Sequence, residues 1–128
     1  MAASSASFHE DPQILSSATK DRHRAIVSIM EELEAIDWYD QRVEGSSDSE
    51  LAGILGHNRD EEKEHMAMAL EWLRRHDAKL DEVLRTYLFK DVPVLQIEKA
   101  VEAAGGDAAE AMNGGDGSLG IGSLRRTP

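Results

Sequence analysis

Two long stretches of this chain carry apolar residues at alternating four- and three-residue spacing, and each has acid in the middle of its apolar stripe. The first stripe reads Ala25, Ile29, Glu32, Ile36, Tyr39, Val43; the second reads Leu51, Leu55, Asn58, Glu62, His65, Ala69, Trp72. This spacing places each set on one face of an α-helix, and such a face packs against a partner. A lone carboxylate buried there is costly and tends to protonate. A metal ion offers it another way to stay charged.

Between the two stripes, Gly45 supplies a left-handed helix stop, residues 46–48 a turn, and the run Ser47-Asp48-Ser49-Glu50 a capping box. The turn is short, so the two helices form an antiparallel hairpin. Asp11 and Pro12 read as the cap and first turn of the first helix, expected over 12–44. The second is expected from Asp48 to Arg75 or His76, weakened at its start by Gly53 and Gly56. A third helix is expected over 78–90, with Leu80, Val83, Leu84, Tyr87 and Leu88 on one side. Pro93 ends it, and residues 94–104 read as a short helical extension. No strand signal and no internal repeat are present. The chain is therefore expected to be all-α: a disordered 1–10, a helical domain over 11–104, a flexible Gly-rich linker over 105–118 and a tail over 119–128.

Composition narrows the chemistry. At 128 residues the chain suits one small domain. It has no cysteine, which removes disulfides, zinc–thiolate sites, iron–sulfur clusters and thiol nucleophiles. No signal peptide or membrane span is legible, so the expected location is the cytoplasm. Against 14 basic residues stand 25 acidic ones, a net charge of −11. Nucleic acid and anionic membranes are poor partners for such a body, and cations are good ones. Between Glu31 and Glu64, twelve carboxylates face only Arg42, Arg59 and Lys63.

Hairpin arithmetic ties acid to acid. The midpoint of positions 32 and 62 is 47, inside the turn, so folding lifts Glu32 and Glu62 to one height, each about 22 Å from the turn at about 1.5 Å per residue. Glu62 and His65 add a Glu-x-x-His motif whose outer side chains share a face. Ferritin-like di-iron sites use a Glu from each of two helices and Glu-x-x-His from each of two more. This chain holds one of each, which is half a four-helix site. Two hairpins about a two-fold axis would complete it, their four carboxylates offsetting two Fe²⁺. Carboxylate with imidazole suits iron and also manganese. A polar register device in a helix seam is the plainer alternative.

The segments 30–39 (MEELEAIDWY) and 58–65 (NRDEEKEH) resemble the encapsulated ferritin-like proteins, two-helix ferroxidases packaged inside encapsulin nanocompartments. The resemblance covers the hairpin to about Leu88 and, separately, the tail, with no departure at the three ligand positions. It implies that Glu32, Glu62 and His65 are the iron ligands, shared between subunits. It also implies a homo-oligomer, a ring of dimers that is typically a decamer, and a compartment inside an encapsulin shell. Glu31 and Glu34, on another face with Trp38, would form an entry site for metal.

Further residues make weaker candidates. Tyr39 lies two turns beyond Glu32 on the same stripe, as a neighbour able to bond a ligand. His57, Glu61 and Glu64 share a third stripe with metal-capable spacing. His9, His23 and His76 read as surface residues, and Met66 and Met68 as packing. The tail ends in Leu119, Ile121, Gly122, Ser123, Leu124 and Arg125, apolar anchors and a basic end on a segment too small for a core. Its Gly-Ser-Leu-Arg run is similar to the encapsulin cargo-loading peptide. The expected activity is Fe²⁺ oxidation by dioxygen or peroxide. The rivals are a non-enzymatic helical cargo adaptor and a di-metal enzyme acting on an organic substrate, the latter disfavoured by the shallow seam of two helices.

Overall fold

A computed structural model describes residues 6–112, with side chains to residue 105, and every regular element in that range is helical. A 3-10 turn, Pro12–Ile14, precedes α1 (Ser17–Gly45), α2 (Ser49–Arg75), α3 (Ala78–Tyr87) and α4 (Val94–Met112). The chain divides into a hairpin unit ending at His76 and a second unit beginning at Asp77.

Caps explain the boundaries. Asp11 caps the 3-10 turn as expected, its carboxylate accepting from the Gln13 N–H at 2.9 Å. The first helix does not run unbroken from Pro12, however. Leu15 is extended, and the Ser16 hydroxyl accepts from the Thr19 N–H at 3.1 Å to start α1 afresh. A serine that can bond the backbone locally competes with helix continuation and wins at a cap. At the second start the cap is Asp48, which accepts from the Leu51 N–H at 2.8 Å, one residue beyond the expected Ser47. Either side chain can cap, and the aspartate takes the position.

α1 packs antiparallel on α2 along the hairpin. Arg59 joins them, its Nη1 donating to Asp40 Oδ1 at 2.8 Å and its Nε to Asp60 Oδ1 at 3.1 Å. Beside it the helices approach closely: a Cβ at Gly56 would meet Val43 at 3.9 Å. In the N-terminal segment the Phe8 ring lies 4.6 Å from that of His23. At the far end His76 stacks on Trp72 at 3.9 Å, and its Nδ1 lies 2.7 Å from the Trp72 carbonyl oxygen.

The second unit starts where α2 stops. Asp77 is extended and accepts from the Leu80 N–H at 3.0 Å, so α3 is a new helix. It ends at Tyr87, before the expected Lys90: Leu88 is extended, and Phe89 after it takes a left-handed backbone with φ of 61°. That position past a C-cap normally holds glycine, and a bulky residue there costs roughly 1–2 kcal/mol. α3 packs on α4, and Glu82 is buried, with Lys79 Nζ 3.3 Å from its Oε2. α4 passes through Gly105 and Gly106 to Met112, further than the expected 94–104. Its alanines are the best helix formers and offset the two glycines. The remainder of the expected linker and the 119–128 tail lie outside the described residues.

Little apolar surface is buried. Leu73 and Ile97 are the buried hydrophobic side chains among the described residues, while the hairpin exposes Ile26, Leu33, Leu51, Ile54 and Met68. No described helix is long and apolar enough to cross a membrane.

Candidate metal centre

The hairpin brings Glu32 of α1 together with Glu62 and His65 of α2, as the stripe arithmetic predicts. One donor atom from each lies within 4.8 Å of the others, and this is the one such three-donor group among the described residues. His65 Nδ1 stands 3.3 Å from Glu62 Oε2 and 3.8 Å from Glu32 Oε2. The i, i+3 spacing on α2 sets the first distance, and helix packing sets the second.

The two carboxyl groups share a hydrogen bond. It raises Glu32 above the ordinary glutamate value, and burial and the charges of Glu62 and Glu31 push the same way while His65 pulls it down. The same bond lowers Glu62, aided by His65. The contact thus pushes the two carboxyls in opposite directions, Glu32 up and Glu62 down. A divalent ion held between them would satisfy both carboxylates. The donor set of two carboxylates and one imidazole fits iron or manganese. The three side chains remain 24–46% exposed, so this face of the site is open.

The other candidates do not converge into sites within one chain. Glu31 is exposed and Glu34 half-buried, with Glu31 acting on the centre through its charge on Glu32. His57 Nε2 pairs with Glu61 Oε1 at 2.9 Å, and Glu64 is not drawn into a three-donor group with them. Tyr39 is half-buried, and the Arg42 guanidinium lies 5.4 Å from its ring centroid and 6.0 Å from that of Trp38. Arg59 was not singled out by its sequence pattern, yet it sits one turn before Glu62 and fixes α2 against Asp40 of α1.

Known proteins are similar to this chain. The EncFtn-like family model matches residues 7–91. An encapsulated ferritin-like protein of Rhodospirillum rubrum is 64% identical over 129 residues, covering 98% of this chain and 92% of the relative. A ferritin-like protein of Thermotoga maritima is 49% identical over 117 residues, covering 91% of this chain and 96% of the relative. A crystal structure of a protein from Nitrosomonas europaea superposes with a TM-score of 0.66 at 56% identity, covering 68% of this chain and 96% of that one. By its sequence over both helices of the hairpin, the chain belongs to the EncFtn-like family.

Proposed function

We propose that this protein is a ferroxidase whose iron site is completed by a second copy of the chain. The observation that carries the reading is the meeting of Glu32, Glu62 and His65 donor atoms within 4.8 Å on an open face. One chain offers three donors, too few for two metal ions. Two copies offer four carboxylates and two imidazoles, and their charge of −4 balances two Fe²⁺. The exposed Ile26, Leu33 and Leu51 give the second copy an apolar seam to cover.

Each Fe²⁺ gives up one electron, and two electrons with two protons convert dioxygen to hydrogen peroxide. The carboxylates stabilise the extra positive charge on the product, and the imidazole completes the donor set. The acidic body raises the local concentration of the cationic substrate. Manganese fits the same donors, and metal analysis distinguishes it. The family relationship supports packaging in an encapsulin shell, with the segment 119–128 as the address and a ring of dimers as the cargo. Glu31 with Glu34 is the proposed entry point, Tyr39 a neighbour of the ligands, and His57, Glu61 and Glu64 an accessory cation patch completed between copies.

The test is aerobic Fe²⁺ addition followed by absorbance. Glu62→Ala and His65→Ala should each reduce the rate at least tenfold toward the uncatalysed value, with native mass unchanged or shifted to larger species. Full activity in Glu62→Ala would overturn the assignment.

A further inference from the structure

The junction between α3 and α4 exposes five large apolar side chains in eight residues: Leu88, Phe89, Val92, Val94 and Leu95. Phe89 is the extreme, at 103% relative exposure and on a left-handed backbone. Val94 and Leu95, 63% and 70% exposed, continue the strip into the first turn of α4, beside the buried Ile97. Glycine would relieve the backbone and a polar side chain would suit the solvent; the chain has neither at position 89. Strain and exposed apolar surface together mark a surface made to be covered.

The chain beyond Met112 has a segment of matching chemistry. Residues 119–126 place Leu119, Ile121 and Leu124 before Arg125 and Arg126, with no acid among them. The segment 77–112, by contrast, holds eight carboxylates against four basic residues; within the strip Asp91 is balanced by Lys90, and Glu98 and Glu102 against Lys99 leave the start of α4 acidic. Reach agrees as well. α4 has 19 residues and is about 28 Å long, while the twelve residues from Met112 to Leu124 span up to about 40 Å when extended. Leu124 can therefore return to the start of α4 within its own chain.

We propose that residues 88–95 form the docking surface for this chain's own segment 119–126, with Phe89 as the apolar anchor and the acids of α4 facing Arg125 and Arg126. A short tether gives the segment an effective concentration in the millimolar range at its own strip, so even weak docking keeps it occupied. Any external groove for the tail then competes with the parked state.

The test uses the full chain without any shell protein, so its failure leaves the address role of the tail standing. Trypsin cleavage after Arg125 and Arg126 is timed against cleavage after Lys20 in the hairpin. Phe89→Gly and Leu124→Asp should each speed tail cleavage at least fivefold and leave the Lys20 cut unchanged. Glycine suits the left-handed backbone, so misfolding does not explain the result. A photoactivatable benzophenone residue at position 89, in an equal mixture of ¹⁴N and ¹⁵N chains, then identifies what touches the strip. Links to residues 119–126 within single-isotope chains are expected. Mixed-isotope links, links to other segments, or unchanged tail cleavage in both variants would overturn the proposal.

Discussion

Glu32, Glu62 and His65 were legible as a set because each interrupts an otherwise apolar stripe, and acid on such a face needs a partner. Arg59 was less visible, since an arginine in an acidic run looks like solvated charge until the facing helix supplies Asp40. Glu82 was not visible at all: its burial is a tertiary effect, which no periodicity in ten residues of helix reveals. Glu71 makes a prediction on its own. Arg74 and Arg75 donate to its carboxylate at 2.7 and 2.6 Å and hold it down to about 2, from an ordinary 4.5. A depressed folded value means the clamp contributes fully above the unfolded value and is lost as pH falls from about 4.5 toward 2. Amide protection in the last turn of α2, taken relative to the intrinsic exchange rate at each pH, should fall across that window, and Glu71→Gln should remove the acid dependence. An unchanged profile in the variant would show that other groups control the fraying.

The hairpin, its turn and three of its caps follow from local chemistry, which is why the helices fall within a few residues of expectation. Boundaries shift where two side chains compete for one role, as at Ser47 and Asp48, or where an unlikely residue takes a glycine's place, as at Phe89. The length of α4 was missed because a pair of glycines reads as linker while alanines on both sides favour helix. Two predictions belong to these elements. Asp48→Ala removes the acceptor for the Leu51 N–H and should cost about 1 kcal/mol in urea denaturation of the metal-free protein. Gly53→Ala should act in the opposite sense: a Cβ there meets nothing within 4 Å, and alanine inside a helix is favoured by roughly 0.5–1 kcal/mol. Destabilisation by Gly53→Ala would show that something packs against that face of α2.

For the molecule as a whole, the scarcity of buried apolar side chains and the half-complete donor set point to the same remedy, a second copy. Metal and association are then linked, because ligands from two chains form one site only when assembled. Sedimentation of the metal-free protein at low micromolar concentration should show smaller species that grow on Fe²⁺ addition, whereas Glu62→Ala should be indifferent to iron. Identical profiles for the wild-type chain with and without Fe²⁺ would remove the linkage. Removing residues 119–128 should leave Fe²⁺ oxidation intact and abolish capture by co-expressed shell protein; loss of oxidation instead would make the tail part of the enzyme. The placement of all three ligands between positions 32 and 65 also orders events during synthesis. The residues of the proposed half-site leave the ribosome before the tail does, and N-terminal units fold first as they emerge. On the proposed reading, the part of the chain that would bind iron is then exposed to solvent ahead of the part that would address it to a shell, because translation runs from one to the other.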